Sequence, residues 1–229
     1  MRPKALLSWS SGKDCAWTLH VVRQRGEFDV VGLLTTFNEH FDRVAMHAVR
    51  RNLVEAQARA AGLPLWNIPL PWPCSNEEYE RRMRAAVERA RSEGITHMIF
   101  GDLFLEDVRD YRIAKLKGTG IEPVFPLFGT RADSPTLART MIASGLKARI
   151  TCVDLKQLDG KFSGREFDAA LLAELPEKVD PCGENGEFHT FCYAGPMFSS
   201  PIEVALGEVV NRDGYMFADL IAARGEPVQ

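Results

Sequence analysis

Apolar and polar positions change period repeatedly along the first half of this chain. Short apolar runs at 5–9, 30–35, 65–68 and 97–100 read as strands. Between them, apolar residues at helical spacing predict helices over 15–24, 44–61, 76–92 and 105–117. Gly26, Gly62, Gly94 and Gly118 each stand just past one of these stretches, where a helix commonly ends. Such alternation is the sign of a parallel sheet wrapped by helices, so residues 1–125 are expected to form an α/β, Rossmann-like domain. Ligands of such a sheet bind at the carboxyl ends of its strands. The loop from Ser10 to Asp14, the segment 35–40 and the turn Gly101-Asp102 all fall at that edge.

From residue 126 the pattern changes. Ser134-Pro135 suits an N-cap and first turn for a helix reaching Ala143, 148–153 reads as a strand, and 167–175 as a helix. An irregular Gly-rich segment spans 180–195. Stretches 202–210 and 215–221, around Asn211-Arg212-Asp213-Gly214, read as a hairpin. Residues 126–229 are expected to form a smaller α+β domain on the substrate side.

Composition narrows the classes. With 229 residues, 45% hydrophobic and 26% charged, the chain can bury a sizeable core without disulfides. A formal charge of -3 gives no general attraction to nucleic acid or anionic membrane. The arginines at 81, 82 and 84 each follow a glutamate by four residues, the order of a solvated helix face. No leader or membrane-length apolar run is evident, so a cytoplasmic protein is expected. Cys15, Cys74, Cys152, Cys182 and Cys192 are odd in number and widely spaced, against a disulfide framework.

The chemistry concentrates in two clusters. Ser10-Ser11-Gly12-Lys13-Asp14-Cys15 joins the first strand to the first helix, placing unpaired N–H groups at the positive end of a helix dipole, where phosphate binds. A Walker A loop does not fit, because Asp14 follows the lysine and no glycine lies five residues before Gly12. The stretch resembles instead the pyrophosphate loop, Ser-Gly-Gly-x-Asp-Ser, of ATP pyrophosphatases, which split ATP between the α and β phosphates. Ser11 replaces a glycine, which serine tolerates if the backbone avoids positive φ, and Cys15 replaces the last serine. The second cluster, Cys182-Gly183-Glu184-Asn185-Gly186-Glu187-Phe188-His189-Thr190, sets two carboxylates, an imidazole and a hydroxyl among glycines. Such a set can position an acidic or amine substrate, hold Mg²⁺ or move protons.

Together, the loop and Gly183-Glu-x-Gly-Glu-Phe-His-Thr190 look like the diphthine–ammonia ligase family. Met46-His47, Gly101-Asp102, Pro126-Leu127-Phe128 and Gly195-Pro196-Met197-Phe198 agree with its pattern, so the resemblance spans residues 5–200. It implies an adenine nucleotide alpha hydrolase-like fold, with ATP and Mg²⁺ as cofactors. It further implies amidation by ammonia of an acceptor carboxylate, on a modified histidine of elongation factor 2 or a small molecule, with release of AMP and pyrophosphate. Some relatives are suspected in cobalamin salvage.

Resemblance and chemistry together assign roles. Ser10, Ser11, Gly12 and Cys15 line the pyrophosphate, and Lys13 neutralises its growing charge. Asp14 is the expected Mg²⁺ ligand. Thr35 marks the adenine end, and Asp102 serves the ribose or a second metal contact. His47 faces the cleft, and Arg109 and Arg112, three apart, clamp an acceptor carboxylate. Glu187 or His189 deprotonates ammonium, while Thr190 binds the acceptor and Glu184 orients the acceptor or a metal. Two rivals are a tRNA sulfur transferase, which wants a catalytic cysteine and a basic face, and a nucleotide sensor without turnover. No nucleic-acid or membrane partner is expected, and a homo-oligomer is left open.

Overall fold

The computed structural model describes residues 2–44 and 48–223. β1 (Lys4–Ser8), β2 (Asp29–Asn38), β4 (Leu65–Leu70), β5 (His97–Ile99) and β6 (Glu122–Val124) form a parallel sheet in the order β4-β2-β1-β5-β6. The two-residue β3 (Arg43–Val44) pairs antiparallel with the end of β2. The chain runs outward from β1 through β2 to β4, then returns to β5 on the other side of β1. That reversal is the switch point of a doubly wound sheet, where a crevice opens above the strand ends.

Strand pleating explains the two cores. Ala5 and Leu7 face a core built with α1 (Lys13–Arg25) and α2 (Arg51–Ala61), while Leu6 faces one built with α3 (Asn76–Ser92) and Leu116 of α4 (Glu106–Leu116). Both faces are covered, which is why the strand runs are apolar without alternation. Gly26 and Gly62 close α1 and α2 in the left-handed conformation expected of them, with φ of 64° and 65°.

The second sheet is antiparallel, in the order β8-β7-β10-β9: β7 (Lys147–Asp154), β8 (Phe188–Ala194), β9 (Val204–Arg212) and β10 (Tyr215–Ala222). Its buried residues, among them Ile150, Val153, Phe188 and Phe191, join the α1–α2 core, so both sheets share one hydrophobic cluster. The fold is therefore α/β, a Rossmann-like parallel sheet with a smaller α+β part attached. Asp213 and Gly214, at φ of 53° and 84°, make the two-residue turn between β9 and β10, tighter than the four-residue connection expected.

Several elements differ from the sequence pattern. The helix expected over 44–61 begins at Arg51, because Val44 pairs with Phe37 in β3 and Arg50 is extended. β8 runs through the stretch expected to be irregular; it is covered nearly throughout, so it carries no polar–apolar alternation. α5 (Ser134–Ala143) has Asp133 rather than Ser134 at its N-cap position, without a side-chain cap hydrogen bond, and Pro135 in its first turn.

Asp219 of β10 ties the second sheet to the first part, accepting hydrogen bonds from Arg43 at 2.7 Å and Arg50 at 2.5 Å. Burial works against its charge, but the two guanidiniums outweigh burial and hold its pKa below the usual carboxylate range. Asp219→Ala is expected to lower the unfolding free energy by about 1–2 kcal/mol, between exposed and buried ion pairs. Urea titration reads this, and an unchanged midpoint would contradict it.

Candidate functional site

Three strand ends meet at the crevice. From β1 the chain turns through Ser10-Ser11-Gly12 into α1. Ser11 has φ of 72°, so the positive φ that serine was expected to avoid there is present. A β-carbon in this region costs on the order of 1 kcal/mol, and contacts to the Ser11 carbonyl hold it. That carbonyl accepts from Gln57 Nε2 and from the Cys192 amide of β8, both at 2.9 Å. Gln57 Nε2 also donates to the Cys192 carbonyl at 2.6 Å, and its Oε1 accepts from the Trp9 indole at 2.9 Å. One buried amide thus fastens the loop to the second sheet.

Gly12 offers no side chain to cap α1; Thr190 Oγ1 of β8 accepts from the Lys13 amide at 3.1 Å instead. The Lys13 side chain is buried, its Nζ donating to Asp14 Oδ2 at 2.9 Å and to the Cys182 carbonyl, between the rings of Phe167 and Phe188. Burial opposes its charge, yet Asp14, Cys182 and Glu184 together outweigh burial and keep the pKa above its ordinary value. Asp14 itself is pushed up by burial, against the pull of Lys13 and with Asp180 adding to the push. Its Oδ1 is buried without a hydrogen-bond partner among the described residues. The Cys15 thiol is turned into the loop, donating to the Gly12 carbonyl at 3.1 Å, and burial pushes it up to about 11.

A polar cavity of about 260 Å³ lies over this loop, lined by Ser10, Lys13, Asp14, Asp102, Glu184 and His189 among others. Gly101 closes one wall: a β-carbon there would stand 3.1 Å from the Asp14 carbonyl carbon and the Cys15 amide nitrogen. A larger cavity of about 620 Å³ adjoins it, and Ser8, Ser10, Phe100, Arg112 and His189 line both. Thr35 and Thr36 line only the larger one. Two sequence clusters 170 residues apart are therefore brought to one crevice.

Each acidic or basic residue takes a distinct place. Glu184 Oε1 accepts from the Leu103 amide at 2.7 Å; burial, with Asp14 nearby, pushes its carboxyl up to about 7. His189 is drawn down to about 4 by burial and by Lys13, so its imidazole is neutral at pH 7. Arg112 reaches both oxygens of Asp102, at 2.7 and 3.2 Å, and lies 4.5 Å over the Phe100 ring. Arg109 does not join it, lining neither cavity: it sits 4.4 Å over Phe128 and beside Asp110, because three residues on a helix still differ by about 60° in direction. Glu187 also lines neither cavity; its Oε1 accepts from the Asp180 amide and from Asn185, bracing the loop from behind. His47 lies outside the described residues.

Gln57 and Asp180 were not among the residues expected. Gln57 betrays itself as a lone polar residue on the buried stripe Leu53, Val54, Ala58, Ala61 of α2. Asp180, 1% exposed, accepts from the Cys182 and Glu184 amides and so shapes the turn that presents Glu184. No group of three or more His, Cys, Asp or Glu side chains among the described residues is arranged to hold a metal. A Mg²⁺ ion fits only as Asp14 permits, one carboxylate oxygen with phosphate oxygens and water completing the shell.

Family models for the N-terminal and C-terminal domains of diphthamide synthase match residues 1–119 and 133–219. The chain belongs to the diphthamide synthase family. Curated relatives named diphthine–ammonia ligase, from Bos taurus and Homo sapiens, are each 26% identical over 250 residues, covering 98% of this chain and 90% of theirs. The Mus musculus relative of that name is 27% identical over 251 residues, with the same coverage. No helix among the described residues is long and apolar enough to cross a membrane.

Gln57→Leu strips two donors from buried carbonyls at the family's first motif. It is expected to cost about 2–3 kcal/mol of unfolding free energy, since it also leaves the buried Trp9 indole N–H without its acceptor. A loss under about 0.5 kcal/mol in urea titration would show that the loop is held by other means.

Proposed function

We propose that this chain activates a carboxylate with ATP and amidates it with ammonia, releasing AMP and pyrophosphate; in support, the name diphthine–ammonia ligase says of its relatives that they join diphthine and ammonia. The acceptor in this reading is diphthine on elongation factor 2. The observation that supports it most is the single crevice holding both the Ser10–Cys15 loop and the Glu184–Thr190 segment.

In this reading adenosine lies against the end of β2, beside Thr35, whose hydroxyl donates to the Trp9 carbonyl. The triphosphate crosses Ser8 and Ser10 towards the N-terminus of α1, where loop amides and the helix dipole meet its charge. Lys13 has two of its three N–H donors on Asp14 and Cys182, so it steadies the loop and offers one donor to a leaving oxygen. Mg²⁺, held by Asp14, would spread the charge on the β and γ phosphates. The acceptor carboxylate attacks the α phosphorus and pyrophosphate leaves. Ammonium then gives a proton to a base, ammonia attacks the acyl carbon, and AMP leaves.

Glu184 suits the base better than Glu187 or His189. It lines the polar cavity, which Glu187 does not, and its carboxyl titrates near neutrality, where a base is most effective. His189, drawn down to about 4, is the weaker acceptor and is better placed to orient the activated group. The thiols of Cys15, Cys152, Cys182 and Cys192 are all buried with raised pKa, which favours amide formation over a thiolate-dependent sulfur transfer.

Incubation with ATP, Mg²⁺, ammonium and diphthine-bearing elongation factor 2 is expected to yield AMP and pyrophosphate in equal amounts. Asp14→Ala should lower the rate by about 10²–10³-fold, as for other groups that stabilise developing charge. ADP and orthophosphate as products would refute the proposed bond cleavage. A base acts deprotonated, so kcat/KM is expected to fall as pH drops through about 7, the Glu184 value. Glu184→Gln should remove that limb along with most of the rate; a wild-type profile in the variant would assign the proton elsewhere.

A further inference from the structure

The larger cavity spans more strand ends than one nucleotide needs. It touches β2 at Leu34, Thr35 and Thr36, β1 at Ser8, and β5 at Met98, with Phe100 beyond it. Adenosine and the triphosphate, as assigned above, use the β2 and β1 ends. The β5 end remains, and there the cavity runs between α3 and α4. Tyr79, Met83 and Val87 line it from α3, four residues apart and so on one helix face, opposite Tyr111, Ala114 and Leu116 of α4.

Charge at this groove is unevenly distributed. Arg84, Arg112 and Lys115 line it against the carboxylate of Glu80, while Asp102 pairs with Arg112 at the inner end, so with Lys115 on Glu80 the net excess is the charge of Arg84. Lys115 and Glu80 pair across the two helices, each side chain more than two-fifths exposed, so this outer bridge is screened by water and opens at little cost. Arg112 lies at the inner end, where the groove meets the polar cavity beside His189. The walls are thus apolar and aromatic, the outer rim cationic, and the inner end adjoins the phosphate loop.

We propose that the groove between α3 and α4 seats the acceptor, a carboxylic acid borne on a flexible arm with an apolar stem, entering past Lys115 and ending beside Arg112. The assignment rests on the ligase reading above and adds the acceptor's route and chemical class. A free small acid would leave the aromatic walls uncovered, whereas an arm presented by a macromolecule fills them. The carboxylate meets an excess of positive charge on entry and reaches the α phosphorus from the side opposite adenosine. Acceptor and nucleotide therefore occupy the crevice together without exchanging places.

Two variants separate this from its alternatives. Ala114→Trp fills the groove, and Lys115→Glu reverses the charge at an exposed position without disturbing the core. Both are measured by ATP affinity in calorimetry and by KM for diphthine-bearing elongation factor 2. Each is expected to raise that KM by about tenfold or more, while the Kd for ATP stays within about twofold of wild type. A parallel loss of ATP affinity in Ala114→Trp would assign the groove to the nucleotide and overturn the proposal. Unchanged KM in Lys115→Glu would show that the acceptor does not pass this rim. Failure of the wild-type protein to release pyrophosphate with this acceptor would instead remove the ligase reading, and this assignment with it.

Discussion

The Ser11 carbonyl is the point on which the molecule's two sheets depend. It accepts from Gln57 of α2 and from Cys192 of β8, and a left-handed serine is the conformational cost of aiming it there. Without those donors the loop has no reason to adopt positive φ, and without that turn the N-terminus of α1 is not carried to the edge of the crevice. The Lys13 amide bond to Thr190 and the Lys13 ammonium bond to the Cys182 carbonyl continue the same seam. The geometry of the Ser10–Cys15 loop in the first part is therefore a product of contact with the second. Neither sequence cluster makes the site by itself.

This dependence explains what could be read from residues alone. The parallel sheet was legible because buried strands and amphipathic helices differ in length and period, and because Gly26 and Gly62 mark helix ends by a local steric rule. The hairpin turn at Asp213-Gly214 was equally local, although two rather than four residues make it. β8 was hidden because coverage along nearly its whole length erases alternation. The three-residue β6 was missed for another reason: it is an edge strand too short to show a period, with Pro123 at its centre.

At the site, residue type predicted position less well than spacing predicted neighbourhood. Both motifs do reach one crevice, and Ser10, Lys13, Asp14, Asp102, Arg112, Glu184, His189 and Thr190 line its polar end. Arg109 and Glu187 fit the same chemical description but point elsewhere, since helix phase and loop bracing are decided by packing partners such as Phe128 and Asn185. Gln57 was invisible to any search for reactive groups. Its polar side chain on an apolar stripe was the available signal, and a buried amide there implies partners whose identity only the fold supplies.

The two adjoining cavities divide labour by polarity. In the smaller, burial, with Asp14 nearby and against the pull of Lys13, raises Glu184 towards neutrality. In the larger, aromatic and aliphatic side chains such as Tyr79, Met83, Val87, Tyr111 and Leu116 form the walls between α3 and α4. An acyl-adenylate is destroyed by hydrolysis, so a ligase gains by keeping proton transfer at a polar wall and the activated carbon at an apolar one. The residues common to both cavities, Phe100, Arg112 and His189 with Ser8 and Ser10, mark the boundary. A neutral His189 fits that boundary: it can donate or accept one hydrogen bond without bringing a second cation beside Lys13, whose charge already draws its pKa down. Polarity thus changes across a single layer of side chains, and the reaction proposed for this crevice needs that change where the acceptor and the α phosphate would meet.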